Sequence, residues 1–211
     1  MERYRIALCT VVVDAAGEGR STVRLPDGAS RRVEATSRAG RIDLVPELVG
    51  ENQGRDLRNI LLHEATHACQ PAEPLPLPGE PKLRDGTVAY AVQGLSILVR
   101  RPDGRTTAFR KIEEGACEAL AHLTDGVYAV RDRQYAAVGS LTLMLMHRLG
   151  VTGDELQDWV ETNDVWNWVA RVLRRPRSPD DFEGLERVMI AYQEAWNGGD
   201  RETLIASLLG D

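Results

Sequence analysis

The chain lacks a cysteine framework, an excess of basic charge and any long apolar run, and each shortage removes a class of protein. Its 211 residues hold three cysteines, Cys9, Cys69 and Cys117. Three irregularly spaced thiols leave one unpaired, so no disulfide scaffold is expected and a reducing cytoplasm is the natural setting. Lys and Arg total 26 against 32 for Asp and Glu, a net charge of −6. That balance argues against a general nucleic-acid binder, which needs a basic surface to neutralise phosphates. No apolar stretch approaches the roughly 20 residues that cross a bilayer. Met1 to Asp14 does not read as a secretion signal, because its apolar run is short, β-branched and interrupted. We therefore expect no nucleic-acid partner, no membrane and a cytoplasmic location.

What remains is the composition of a soluble globular protein, 43% hydrophobic and 27% charged, in a length that suits one domain with a proper core. Within it, one stretch carries chemistry. Leu57 to Gln70 contains His63-Glu64-Ala65-Thr66-His67. On a helix, positions four apart share a face, so both imidazoles can reach one ion. Glu64 lies about 100° round from His63, placed to face a water on that ion without ligating it. A chance match would fall on a solvated helix. Here Leu57, Ile60, Leu61, Leu62, Ala65, Ala68 and Cys69 make the helix apolar nearly all round, which predicts an interior helix. Buried histidines and a glutamate need partners, and a metal supplies them.

Around this helix the chain reads as β first and helix later. Residues 4–13 are rich in Val, Ile and Thr and predict a strand. Ser21 to Leu25 and Ser30 to Ala35 bracket Pro26-Asp27-Gly28 and predict a hairpin. Arg41 to Val45 predicts a short strand bounded by Gly40 and Pro46. Five of the ten prolines (Pro71, Pro74, Pro76, Pro78 and Pro81) follow the histidines and predict an extended connector. Val88 to Arg100 and Arg105 to Ile112 predict a second hairpin around Arg101-Pro102-Asp103-Gly104. Glu113 to His122 reads as a helix, Tyr135 to Leu149 as another ended by Gly150, and a further one starts at Thr152 or Asp154. Trp159, Trp166, Val169 and Leu173 recur at helical spacing and are assigned to the core. A last helix is expected over about Asp181 to Trp196. The basic cluster Arg171 to Arg177 reads as a solvated helix end.

A catalytic zinc takes three protein ligands and keeps one position for water. Glu114 is the expected third ligand, since it forms an i, i+4 pair with Glu118 on one helix face. Glu118 would then accept a hydrogen bond from a ligand imidazole and fix its tautomer. Gly115 would let this helix approach the first one closely. Cys69 and Cys117 are assigned to the core as small buried thiols rather than to the metal. His147 is likewise expected to be a satisfied core histidine.

His63-Glu-Ala-Thr-His67 followed by Glu114-Gly-Ala-Cys-Glu118 resembles the gluzincin, thermolysin-like zinc metallopeptidases, and the order of elements over about residues 40–150 looks like that of small bacterial members. The resemblance implies an α+β, zincin-like fold: a small, mostly antiparallel N-terminal sheet over 1–50, an active-site helix within 51–70, a proline-rich loop and hairpin over 71–112, and a helical part from 113 to 211, all in one domain. It implies one Zn2+ per chain bound by His63, His67 and Glu114, with Glu64 as general base and proton shuttle. The implied partner is a peptide or protein substrate. Glu118 stands where the family usually has Asp. Arg41 to Val45 falls where the family's substrate-binding edge strand normally lies. His122, Tyr128 and Tyr135 are the candidates for an oxyanion donor. Two alternatives stand beside hydrolysis: a zincin-like regulatory or binding protein that keeps the metal without proteolysis, and a structural zinc site closed by Cys69 or Cys117.

Overall fold

The computed structural model describes residues 10–13, 22–24, 30–32, 35–38, 41–44, 55–71, 73–126 and 133–210. The protein is α+β. Strands β1 (Thr10–Val13), β5 (Arg41–Leu44) and β4 (Ala35–Arg38) form one small sheet in that order, and β2 (Thr22–Arg24) pairs with β3 (Ser30–Arg32) as a hairpin. The first sheet is mixed, since β1 runs parallel to β5 while β4 runs antiparallel to it; with the β2–β3 hairpin, the N-terminal pairing is mostly antiparallel, as expected. The segment expected as one strand over Ser30 to Ala35 is divided between β3 and β4. Arg41–Leu44 is therefore the central strand, and the edge beside the first helix belongs to β4. This corrects the expectation of an edge strand at Arg41 to Val45: both sides of β5 are already hydrogen-bonded.

Helix α1 (Arg55–Ala68) follows and packs on β4 and β5. Ile42 and Ala68 are buried at that contact, with Leu57, Ile60, Leu61 and Ala65 packed around them. These four are only half-buried, so α1 is less enclosed than its apolar circumference predicts. Besides Ala68, its buried described residues are polar: Asn59, His63 and Thr66.

Beyond α1 the prolines keep the chain extended. A two-residue strand β6 (Leu75–Pro76) joins the edge of a four-stranded antiparallel sheet with β7 (Val88–Gln93), β8 (Ser96–Arg100) and β9 (Thr106–Phe109). Both β6 residues are exposed, and an edge is where a strand tolerates Pro76. The segment Val88 to Arg100 is two strands rather than one arm of a hairpin. It reverses at Gly94, whose φ of +57° suits glycine. The Gly94 N–H donates to the buried Asn163 side chain, which anchors this turn.

The remainder is helical: α2 (Lys111–Asp125), α3 (Arg133–Leu149), α4 (Gly153–Glu161), α5 (Val165–Val172), α6 (Phe182–Trp196) and α7 (Arg201–Leu209). The last of these is an addition to the helices read from sequence. Thr152 caps α4 through a reciprocal bond with Glu155, and Gly150 ends the preceding helix with φ +65°. The main core joins β7 and β8 to these helices through Ile97, Ile112, Leu141, Leu156, Trp168 and Tyr192, among others. Trp159, Trp166 and Trp168 lie in it, whereas Trp196 is half-buried. Arg171, Arg174, Arg175 and Arg177 are exposed, as expected of a solvated helix end.

Gly115 is tightly packed, but not against α1. A Cβ there would stand 2.7 Å from Thr142 Oγ1, 2.8 Å from Tyr192 Cε1 and 2.9 Å from the Val138 carbonyl oxygen. Glycine thus brings α2 against α3 and α6. One residue along a helix is a rotation of about 100°, which turns Gly115 away from the face that carries Glu114.

Among the described residues, no helix is long and apolar enough to cross a membrane.

Candidate metal site

Helices α1 and α2 lie antiparallel. Near the start of α1, Arg58 Nε is 3.0 Å from Asp125 Oδ1 at the end of α2. Towards the end of α1, His67 meets Glu113 and Glu114 in the first turn of α2. The two acids also suit that position electrostatically, because a helix N-terminus favours negative charge.

Between the helices, three donor atoms converge. His63 Nε2 and His67 Nε2 are 3.2 Å apart, and Glu114 Oε2 is 3.2 Å from the first and 3.1 Å from the second. Zinc bonds of about 2.0–2.2 Å in a tetrahedron place their ligands roughly 3.3 Å from one another, so the triangle fits an ion of this size. The chemistry of the set points the same way, since two imidazoles and a carboxylate suit such a cation. Among the described residues no fourth His, Cys, Asp or Glu donor joins the three. His63, His67 and Glu114 are thus a candidate metal site with no fourth protein donor among the described residues.

Each imidazole is braced from behind. His63 Nδ1 lies 3.2 Å from Glu118 Oε2, and His67 Nδ1 lies 2.7 Å from Glu113 Oε1. An Nδ1–H that donates to a carboxylate leaves the Nε2 lone pair for a metal. Glu118 is 1% exposed and Glu113 4%. Both Glu113 oxygens are engaged: Oε1 also accepts from the Gln70 amide, and Oε2 accepts from the Ser96 hydroxyl. Gly94 makes room for this group, since a Cβ there would come within 2.8 Å of Gln70 Cδ and 3.0 Å of Glu113 Oε2.

The charges of the cluster are mutually supporting. Burial opposes a charged His63 ring, yet the hydrogen-bonded Glu114 and Glu118 carboxylates outweigh it and raise its pKa to about 9. Burial likewise opposes charge on His67, while Cys117, Glu114 and Glu113 around it raise its pKa well above the usual value. Burial would lift Glu114, but the two imidazoles hold its carboxyl far below the ordinary range. Burial pushes the Cys117 thiol up to about 12. A neutral thiol adds little charge at pH 7, so the carboxylates carry the effect on His67.

The structure brings His63, His67 and Glu114 together and sets Glu118 Oε2 against His63 Nδ1. Cys117 is buried with Sγ 3.6 Å from His67 Nδ1, on the far side of that ring from the triangle. There it forms a second grouping with His67 and Glu113, and it does not join the triangle. Cys69 is half-buried. Glu64 is half-buried on α1, and no hydrogen bond or ion pair ties it to another described residue. Of the three residues considered as oxyanion donors, Tyr135 has its ring against His63, with centroids 5.7 Å apart. His122 lies on the last turn of α2 and is not among the groups gathered at the triangle, and Tyr128 lies outside the described residues. His147 is exposed on α3, not in the core. It lies beside the exposed Arg148 in the last turn, where the helix surface meets solvent.

Glu113, Gln70 and Ser96 were not identified from the sequence. The i, i+4 spacing singled out Glu114 with Glu118 and left their neighbour Glu113 unassigned. Gln70, three residues after His67 and just beyond the end of α1, is the nearest thing to a local signal. Ser96 had none, because its place depends on how β8 packs.

In comparisons with known proteins, no family model, no curated protein and no solved structure matches the chain.

Proposed function

We infer that the protein is a zinc metallopeptidase in which His63, His67 and Glu114 hold the ion and Glu64 is the general base. The observation that carries this reading is the triangle of two Nε2 atoms and one carboxylate oxygen, which no fourth donor among the described residues joins. The carboxylates at both Nδ1 atoms support it, since an Nδ1–H donated to each of them leaves both Nε2 atoms to a metal once the ion has displaced their protons. The gluzincin-like order of His-Glu-x-x-His and a later Glu agrees. The longer Glu118, in the place of the usual Asp, still reaches His63 Nδ1.

Zinc held by this set supplies Lewis acidity and lowers the pKa of a water towards about 7. Glu64 directly follows the first ligand and is not one of the three converging donors. Its carboxylate takes a proton from water as the water oxygen bonds to the peptide carbonyl carbon. It then returns that proton to the amine nitrogen as the C–N bond breaks. Glu113 and Glu118 hold the ligand rings in register throughout.

The test combines metal analysis with hydrolysis of a mixed peptide library by wild type and Glu64→Gln. The expected result is about one zinc per chain in both proteins, with cleavage reduced about 10²–10⁴-fold in the variant. No metal in protein purified without chelators, and no uptake on adding zinc, would overturn the site. Zinc without turnover of any peptide would overturn the peptidase reading and leave a metal-holding binding protein.

A further inference from the structure

Beside the triangle, four side chains form a continuous wall that the proton transfers above do not use. The Tyr135 ring meets His63 edge to face, and Trp196 meets Tyr135 in the same manner with centroids 5.2 Å apart. The Lys111 ammonium lies 5.3 Å from the Trp196 ring centroid and 5.0 Å from that of Phe109. These residues come from β9, α2, α3 and α6, and all four are half-buried, so each keeps part of its surface towards solvent. The wall therefore runs from a ligand imidazole to a positioned cation.

Lys111 is the first residue of α2, three before Glu114, which places the two on one side of the helix. Burial weakens its charged form and the Glu114 carboxylate favours it. Two ring faces hold the ammonium by cation–π attraction, and among the described residues no carboxylate pairs with it. A lysine that served only solubility would extend its head to bulk water. This one is held between two rings with its N–H donors available to a ligand.

We propose that Lys111, with Trp196 and Tyr135, is a carboxylate-binding subsite: a peptide lies along the two rings and docks a carboxylate on the Lys111 ammonium. The carboxylate is a C-terminus or an acidic side chain. The proposal deepens the peptidase reading and rests on it.

The test reads binding, not turnover. Zinc-loaded Glu64→Gln protein is titrated calorimetrically with matched tetrapeptides: one pair ending in a free acid or an amide, and one pair carrying a glutamate or a glutamine. The expected result is an affinity higher on the order of tenfold for the acidic member of at least one pair. Preference within the first pair identifies the C-terminus, and within the second pair the side chain. The preference disappears in Lys111→Met, which keeps the aliphatic stem and loses the charge. It persists in Lys111→Arg, whose guanidinium also stacks on rings and binds carboxylates. Unchanged zinc content serves as the folding control for both variants. Equal affinity within both pairs, or a preference that survives Lys111→Met, overturns the proposal. Because Glu64→Gln reports binding alone, failure of wild type to cleave peptides would overturn the peptidase reading and leave this result separate.

Discussion

His67 Nδ1 stands 2.7 Å from Glu113 Oε1, and that contact makes the two imidazoles of the site alike. Each turns Nε2 towards the other and towards Glu114, and each has a buried acid at its back. The consequence is measurable. Glu113→Gln and Glu118→Gln should each lower zinc affinity about 10–100-fold, read by competition with a chromophoric chelator. Glu113→Ala should also lower stability by about 1–3 kcal/mol, because it strands the Ser96 hydroxyl and the Gln70 amide. Wild-type zinc affinity in Glu113→Gln would show that its bond to His67 orients nothing.

Removal of metal should destabilise the fold, because α1 and α2 meet through the triangle. At a free zinc concentration of 100 times Kd, binding adds about 2.7 kcal/mol to stability. Thermal melts with zinc and with excess chelator should differ accordingly. The same comparison on His67→Ala should show little shift, since one of the three candidate ligands is gone.

Zinc uptake should release protons and strengthen with pH. In the metal-free protein the Glu114 and Glu118 carboxylates, acting against burial, hold His63 protonated up to about pH 9, and the ion must displace that proton. Affinity therefore rises as pH increases towards 9. The stability of the metal-free protein moves oppositely. A folded-state pKa of about 9 against an ordinary 6.5 contributes stability that is whole below pH 6.5 and lost as pH climbs through 9. Calorimetry in buffers of different ionisation enthalpy would count the protons, and urea titrations in chelator at several pH values would check the stability.

Gly115→Ala should cost about 1–3 kcal/mol. The added Cβ would meet the Val138 carbonyl oxygen at 2.9 Å, and a helix backbone cannot step aside as a side chain can. Urea denaturation measures the loss. Zinc affinity of the folded protein should stay close to wild type, because Gly115 faces α3 and α6 rather than α1. A large loss of affinity would mean that this packing also sets the position of Glu114.

Much of this arrangement is legible in the sequence. The 3.6-residue repeat places His63 with His67, and Glu114 with Glu118, on single helix faces, since such spacing is a local property of the backbone. Turn residues marked the β2–β3 hairpin and the ends of α3 and α4 for the same reason. Strand partners were less legible: nothing within residues 35–44 states that β1 joins β5 in parallel, because pairing is decided across the chain.

By itself, then, the sequence determined the two helices that carry the candidate site and the residue types they present. The tertiary structure decided which atoms meet. It turned Glu113 onto His67, placed Cys117 behind that ring, aimed Gly115 at α3 and α6, and set Lys111 between Phe109 and Trp196. Each of these is a contact between distant segments, fixed by how helices and strands pack, and no spacing along one element can specify it.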